Sequence, residues 1–233
     1  MRVLVIPDIH LEIDKADKVL EKEAFDKVVF LGDYFDDFGD TVEQNEEVAK
    51  WIMKKAKKKS HIMLLGNHDM AYYSSGLGSN KFLCSGFSYK KSLLINKHMD
   101  WSKLKTHFFA DKILYTHAGL NNFFVHRSWS KISHIKKFLK ETDERLARWT
   151  DNVKNARGLN IFGCGRIRGG DQPVGGLTWN DFREHEPIPF LRQVFGHTRR
   201  DGFVREKGHD FCIDTGLQHY AIVEDGYIQI CKI

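Results

Sequence analysis

The chain has 233 residues, of which 42% are hydrophobic and 29% charged, and its formal net charge at pH 7 is +5. This length fits one domain, and the apolar share is enough for a core of two or three layers. No stretch approaches the roughly 18 apolar residues that would span a membrane, and Pro7 interrupts the first apolar run too early for a signal peptide.

Cysteines and lysines give two further indications. Cys84, Cys164, Cys212 and Cys231 are widely scattered and form no CxxC pair. This spacing predicts reduced thiols of a cytoplasmic protein rather than a disulfide framework or a zinc site. The densest basic run, residues 54–59, ends a predicted helix, where lysines suit the helix dipole. We interpret it as a solvated helix end rather than a patch that binds nucleic acid or phosphoprotein.

Apolar runs and helical patterns alternate through the first third of the chain. A strand is predicted near residues 2–6, a helix over about 14–24, and a strand over 28–31. A capping-box sequence at residues 41–44 begins a second helix, and a third strand follows at 61–65. Strands that alternate with helices predict an α/β sheet.

The later part of the chain has a different pattern. Apolar residues at helical spacing, from 121 to about 157, predict one long or two shorter helices that form an insertion. A loop rich in Gly and Arg follows at 163–170. A strand is predicted at 211–213 and a hairpin around the turn 224–226, so the C-terminal part is expected to form antiparallel strands. We expect a single domain over residues 1–233.

Five short polar motifs each follow directly on an apolar run that indicates a buried strand. They are Asp8-Ile9-His10, Gly32-Asp33-Tyr34-Phe35-Asp36, Gly66-Asn67-His68-Asp69, Thr116-His117-Ala118-Gly119 and Gly196-His197-Thr198. Open sheets with helices on their faces bind ligands at the carboxyl ends of the strands. The chain therefore brings Asp, Asn and His to one rim of a sheet. This is a ligand set for two divalent metals and indicates a hydrolytic enzyme.

In this order, the motifs resemble those of the calcineurin-like metallophosphoesterase superfamily, and most of all its phosphoprotein phosphatase and diadenosine tetraphosphatase branch. The Cys-Ile-Asp-Thr-Gly segment at 212–216 is also similar to the one that follows GHT in that branch. Each motif alone is weak, whereas five in order are a strong signal. The resemblance implies a four-layer α/β/β/α sandwich of two mixed sheets, with the metal site at the rim.

The resemblance also implies six metal ligands. They are Asp8 and His10 for the first metal, Asp33 for both metals, and Asn67, His117 and His197 for the second. Two cations about 3.5–4 Å apart neutralise phosphoryl oxygens and acidify a bound water. Oxygen and imidazole ligands suit Mn²⁺, Fe or Zn²⁺, and we expect Mn²⁺.

His68 and Asp36 are the predicted catalytic pair. By resemblance, His68 is the general acid that protonates the leaving oxygen, Asp36 orients it, and a hydroxide held between the metals attacks the phosphorus in line. The alternatives are a structural hydrogen bond for His68 and a turn carboxylate for Asp36. We expect Asp37, Asp40 and Asp69 to be solvated or to hydrogen-bond around the site.

Some positions depart from the family pattern. Asp37 stands where phosphoprotein phosphatases commonly have an Arg that binds the substrate phosphate. Arg166 or Arg168, in the glycine-rich loop, would then bind it, since Arg pairs with phosphate bidentately; both could also be surface groups. Arg199 replaces the second His of the GHxH motif, as in the phosphatase branch, and either contacts substrate or is plain surface. Leu11 stands where that branch usually has Gly. A Leu at this position is commoner among the phosphodiesterases.

The predicted function is a two-metal phosphatase that hydrolyses phosphomonoesters, either phosphoserine or phosphothreonine in a protein or a nucleotide. The alternative is a phosphodiesterase or nuclease that acts on nucleic acid or on cyclic or dinucleoside phosphates. A metal-binding scaffold without activity is the least favoured hypothesis. Arg199 favours the phosphatase, whereas Leu11, Asp37 and the positive net charge of the chain favour the diesterase. Trp179 is either a wall of the site or a core aromatic.

Overall fold

The computed structural model describes residues 1–151 and 159–233. In these two segments ten strands form two five-stranded sheets. The strands are β1 Arg2–Ile6, β2 Lys27–Phe30, β3 His61–Met63, β4 Phe108–Ala110, β5 Ile113–Tyr115, β6 Arg192–Phe195, β7 Arg205–Lys207, β8 Asp210–Cys212, β9 His219–Glu224 and β10 Tyr227–Lys232. The α-helices of the same segments are α1 Ile13–Lys22, α2 Val42–Ala56, α3 Asn67–Gly76, α4 Tyr89–His98 and α5 Ile132–Asp151. None of the described helices combines the length and the apolarity that crossing a membrane requires.

Both sheets are mixed. The first has the order β10-β9-β1-β2-β3. In it β1, β2 and β3 are parallel to one another, β9 is antiparallel to β1, and β10 is antiparallel to β9. The second has the order β4-β5-β6-β8-β7, with a parallel centre and an antiparallel strand at each edge. The predicted architecture of two mixed sheets is therefore confirmed.

Alternation along the strands places the core on both sides of each sheet. Val5 of β1 and Val194 of β6 belong to one apolar cluster, which fills the space between the sheets. Leu4, the neighbour of Val5, belongs to a second cluster that includes the apolar faces of α1 and α2. On the far side, Lys136 of α5 lies 5.2 Å from the ring of Phe109 in β4. The layers are therefore helix, sheet, sheet and helix.

Most predicted elements are present. Thr41 accepts a hydrogen bond from the backbone of Gln44 and the Gln44 side chain accepts one from Thr41, so the predicted capping box forms. Within the predicted insertion α5 is one continuous helix, and residues 152–157 of that prediction lie outside the described residues. The helix α4 and the edge strands β4 and β7 were not predicted, because short segments carry too few apolar residues to show a period.

His61, at the start of β3, makes stability depend on pH. Its ring lies between Phe25 and Phe30, and its Nε2 is buried with no hydrogen-bond partner among the described residues. Burial, together with Lys58 and Lys55, lowers the pKa of His61 from 6.5 to about 4. Between these two values the unfolded chain binds a proton that the folded chain excludes, so stability falls as pH drops through that window.

We expect the substitution His61→Phe to reduce this acid sensitivity. Solvent screening leaves about 1 kcal/mol of the effect, which is roughly 2–4 °C in Tm for a domain of this size. The measurement is the change in Tm between neutral pH and about pH 5 for the wild type and the variant. An equal change in both proteins would show that His61 does not carry the dependence.

Candidate metal centre

The six predicted ligands converge at the carboxyl ends of strands from both sheets. Asp8 and His10 follow β1, Asp33 follows β2, Asn67 begins α3 after β3, His117 follows β5, and His197 follows β6. All but His10 are buried. The centre therefore lies at the rim that the two sheets share.

The structure divides these side chains into two groups. Asp8, His10 and Asp33 have ligand atoms within 4.8 Å of one another, and so do Asp33, His117 and His197. Asp33 belongs to both groups. This is the division that the sequence predicted, and the role of each residue as a ligand stays a prediction.

Asn67 belongs to the second group. One terminal atom of its carboxamide lies 3.1 Å from Asp33 Oδ2, 3.1 Å from His117 Nε2 and 2.9 Å from His197 Nδ1. A single NH₂ group cannot serve this many acceptors well, and an amide oxygen there would face acceptors alone. A cation shared by these atoms would satisfy all of them.

Backbone carbonyls fix the tautomer of two histidines. His117 Nδ1 lies 2.9 Å from the carbonyl oxygen of Leu31, and His10 Nδ1 lies 2.7 Å from that of Asp36. Because a carbonyl only accepts, each Nδ1 carries a proton, and in the neutral ring, the form that binds a metal, each Nε2 presents a lone pair. Those Nε2 atoms lie 3.3 and 3.8 Å from Asp33 Oδ2. This is how a protein prepares histidines to bind a metal.

The protein groups alone crowd negative charge at this centre. Burial and the nearby Asp214 carboxylate raise the pKa of Asp8 well above its ordinary value. Although burial opposes it, the Asp33 and Asp8 carboxylates raise the pKa of His117 to about 9. Both shifts mean that the centre favours added positive charge. Carboxylate, amide and imidazole donors fit two hard or borderline divalent cations.

Backbone strain is concentrated at the same place. His10, Asp33, Asp36 and His197 all have positive φ, with values of 40°, 45°, 64° and 68°. Residues with a Cβ rarely adopt this region, and such strain persists only where the surrounding structure imposes it. Here the tight turns at the strand ends direct the side chains of three candidate ligands toward the centre and that of Asp36 toward His68.

Two glycines let the backbone approach these side chains closely. A Cβ on Gly66 would lie 2.1 Å from Asp33 Oδ1, and a Cβ on Gly196 would lie 1.9 Å from Asp8 Oδ2. Neither distance is possible for a real side chain. The glycines of the GNHD and GHT motifs are therefore required by the packing of carboxylates against the neighbouring turn.

The predicted catalytic pair is hydrogen-bonded. His68 Nδ1 lies 2.9 Å from Asp36 Oδ2, and the Tyr72 hydroxyl donates to Asp36 Oδ1 at 2.5 Å. The backbone N–H of His68 donates to Asp33 Oδ1 at 3.0 Å, which ties the pair to the centre. Burial lowers the pKa of His68, but the Asp33 and Asp36 carboxylates outweigh it and raise that pKa well above its ordinary value. A protonated His68 can donate from Nε2.

The predicted phosphate-binding arginines are arranged unequally. Arg168 Nε lies 2.6 Å from Oδ2 of the buried Asp181. Burial, the charge of His117 and that of Arg168 lower the pKa of His197. Both Arg166 and Arg168 are exposed, and they differ in that Arg168 pairs with a buried carboxylate. Binding of phosphate by either of them stays a prediction.

Arg199 and Trp179 are both near His197, Arg199 as the second residue after it in the chain and Trp179 through a ring contact. Arg199 Nε lies 2.7 Å from Asp201 Oδ1, and the charges of Asp201, Asp214 and Asp37 raise its pKa. Trp179 is half-buried, and its ring centroid lies 5.5 Å from that of His197 in an edge-on contact. Trp179 thus lies where a wall of the site would be.

Three acidic or basic residues around the site have partners that the sequence did not specify, although hydrogen bonding around the site was one of the two alternatives for Asp69. Asp69 is fully buried and accepts from the backbone N–H groups of Gly66 and Asp33 at 2.7 and 2.9 Å, so it is not solvated. Asp214 is buried near Asp8, and its position directly after β8 was a usable signal. Lys91 contacts Asp36 from α4, and nothing in its local sequence marks it.

Two mixed sheets with a rim of carboxylate, amide and imidazole groups define a metal-dependent phosphoester hydrolase. The sequence pattern of the calcineurin-like phosphoesterase family matches residues 1–213, and the chain belongs to that family. The predicted family is therefore confirmed. The family is metal-dependent, in agreement with the two groups of candidate ligands.

Solved structures share this fold. A cold-active protein-tyrosine phosphatase of a psychrophilic Shewanella species has a TM-score of 0.60 at 16% identity, over 98% of this chain and 80% of that chain. A protein serine/threonine phosphatase from Saccharomyces cerevisiae has a TM-score of 0.52 at 13% identity, over 100% of this chain and 80% of that chain. No curated protein matches the sequence. At these identities the likeness shows the fold alone.

Proposed function

We propose that this protein is a two-metal phosphatase that hydrolyses phosphomonoesters of proteins or nucleotides. The observation that carries the proposal is the position of Asp33. Its carboxylate belongs to both groups of candidate ligands and also accepts the backbone N–H of His68. Asp33 therefore connects the candidate site for two cations with His68, the candidate proton donor.

The metal ions would be held by the two groups that share Asp33, with Asn67 in the second. Two such cations neutralise phosphoryl oxygens and increase the acidity of a water molecule. Mn²⁺ is our first choice, with Fe or Zn²⁺ as alternatives. The four cysteines are free thiols, which is in line with a cytoplasmic location.

The chain's own residues supply the remaining steps. His68, held by Asp36 through Nδ1, donates the proton on Nε2 to the leaving oxygen. Arg168, which pairs with Asp181, and Arg199, two residues after His197, are the candidate guanidinium groups for pairing with the phosphate. Trp179 limits the access of water beside His197. The phosphorylated substrate is the one partner that this chemistry requires.

The second candidate is a phosphodiesterase that acts on nucleic acid or on cyclic or dinucleoside phosphates. One observation favours it: an exposed Asp37, rather than a phosphate-binding Arg, follows the GDxxD motif. A diester has one negative charge fewer at the phosphorus and needs less positive charge from the protein. A comparison of monoester and diester substrates separates the two candidates.

The test is Mn²⁺-dependent turnover of peptides that carry phosphoserine, phosphothreonine or phosphotyrosine, of a nucleoside monophosphate, of a cyclic nucleotide, and of 4-nitrophenyl phosphate and bis-4-nitrophenyl phosphate. Phosphotyrosine is included because the similar structures are those of both types of protein phosphatase. We expect turnover of monoesters only. Equal turnover of bis-4-nitrophenyl phosphate and 4-nitrophenyl phosphate would favour the diesterase instead.

We expect His68→Asn to lower kcat for the phosphoserine peptide by about 10²–10³-fold, the usual contribution of a general acid. The loss for 4-nitrophenyl phosphate should be much smaller, because 4-nitrophenolate leaves without a proton. His126→Asn is the matched control, since His126 is exposed. If His68→Asn retained full activity on the peptide, His68 would not be the proton donor.

A further inference from the structure

A buried lysine lies behind the pair His68–Asp36. The side chain of Lys91, on α4, is 8% exposed. Its Nζ donates to Asp36 Oδ1 at 2.8 Å, to Asp40 Oδ2 at 2.6 Å and to the carbonyl oxygen of Gly86 at 2.9 Å. All three hydrogens of the ammonium group therefore have an acceptor.

The contacts of Asp36 are divided between its two oxygens. Oδ2 accepts from His68, and Oδ1 accepts from Lys91 and from the Tyr72 hydroxyl. A carboxylate anchored through Oδ1 by two donors cannot rotate without breaking both hydrogen bonds. Rotation would move Oδ2 away from His68 Nδ1, so Lys91 and Tyr72 together fix the direction in which Oδ2 points.

The backbone around Asp36 needs the same support. Asp36 has a φ of 64°, a strained value that only its surroundings can hold. Its N–H donates to Asn45 Oδ1 at 3.1 Å, and Asn45 Nδ2 donates to Asp40 Oδ2 at 2.7 Å. With Lys91 these contacts form a closed ring of four residues, in which Asp36 takes part through its backbone N–H and its carboxylate. Gly86 lies against Asp36, since a Cβ there would be 2.8 Å from Asp36 Cβ.

Burying a lysine is unfavourable unless paired charges and hydrogen bonds compensate. Lys91 has that compensation only because Asp36 and Asp40 turn toward α4. We propose that Lys91 is a positioning residue of the proposed phosphatase: it holds Asp36 in the orientation that aims the proton of His68 at the leaving oxygen. This inference rests on the proposed function.

Leaving-group dependence distinguishes this role from a general effect on folding. We expect Lys91→Met to lower kcat for phenyl phosphate by about tenfold, a part of the contribution of a general acid. With 4-nitrophenyl phosphate, which needs no proton, kcat should change by less than about twofold. KM should not change for either substrate, because Lys91 does not reach the centre. Lys90→Met is the matched control, since Lys90 is the exposed neighbour on the same helix.

A double-mutant cycle tests whether Lys91 acts through Asp36. In the background Asp36→Asn, the change Lys91→Met should lower kcat for phenyl phosphate no further. Lys91→Gln serves as a second neutral variant if Lys91→Met does not fold. Equal losses for both leaving groups, or a full additional loss in the Asp36→Asn background, would overturn the inference.

Two readouts do not depend on turnover. Calorimetric binding of Mn²⁺ should be the same in Lys91→Met as in the wild type. The NMR signal of the hydrogen-bonded Nδ1 proton of His68 should be present in the wild type and lost in the variant, and its persistence would overturn the inference. A wild type that hydrolyses no monoester would overturn the proposed function instead, whatever this signal shows.

Discussion

Replacing Asp33 by Asn should abolish phosphoester hydrolysis, with kcat reduced by about 10³–10⁴-fold, because the carboxylate is shared by both candidate metal positions. Although burial opposes it, His117 and His68 hold the pKa of Asp33 well below its usual range. Asp33 is therefore an anion in the folded protein. The amide of Asn has nearly the same shape and no charge, so the change removes the charge shared by the two candidate metal positions and little else.

The measurement combines kcat with the number of Mn²⁺ ions bound per chain. We expect the wild type to bind two ions and Asp33→Asn to bind fewer, while the fold persists because Asn Oδ1 can still accept the N–H of His68. Asp225→Asn is the control, since the side chain of Asp225 is 90% exposed and lies at the β9–β10 turn. Two bound ions and undiminished kcat in Asp33→Asn would rule out a bridging role.

The rim of the centre could be predicted because its signals are local. Asp8, Asp33 and His117 each come directly after a buried strand, and the ends of parallel strands meet at one edge of a sheet. The type and position of the motifs were therefore enough to bring the candidate ligands to one rim, whereas their division between two metals came from the resemblance to the family. Most strands and the hairpin of β9 and β10 followed from apolar runs and a turn signal in the same way, whereas the arrangement in two mixed sheets came from the resemblance.

The support behind the rim could not be predicted. Lys91 is 55 residues from Asp36, and in sequence it is one more lysine on a short helix. Asp69 is the last residue of a recognised motif, yet only its burial shows that it joins two turns. Polar residues are usually exposed, so a buried one is recognisable only once tertiary packing has placed its partner.

A buried polar network behind the second group of ligands shows the same dependence on tertiary structure. Asn180 Nδ2 donates to the carbonyl oxygen of Ala118 at 3.1 Å and to His185 Nδ1 at 2.8 Å. His185 must then carry its proton on Nε2, which donates to Asp210 Oδ2 at 2.9 Å. Ala118 follows His117 directly. The network therefore holds the loop that carries a candidate metal ligand.

Replacing Asp210 by Ala should lower the free energy of unfolding by about 3–5 kcal/mol, because three buried donors lose their acceptor at about 1–3 kcal/mol each. Asp210 is fully buried. It accepts from His185 and from both the backbone N–H and the side-chain amide of Gln193, at 2.9, 2.8 and 3.1 Å. Alanine would leave all three donors without an acceptor in the interior, and each such group carries its full desolvation penalty.

Urea denaturation of the wild type and of Asp210→Ala measures this difference, with Asp14→Ala as the control because Asp14 is exposed in the first turn of α1. We also expect weaker Mn²⁺ binding in the folded fraction of Asp210→Ala, because the network no longer holds the loop of His117. A loss of stability with undiminished Mn²⁺ affinity would mean that the network supports the fold without positioning the ligand. A variant as stable as Asp14→Ala would show that the buried pair contributes no net stability, since solvent or neighbouring groups would then satisfy the three donors as well as the carboxylate does.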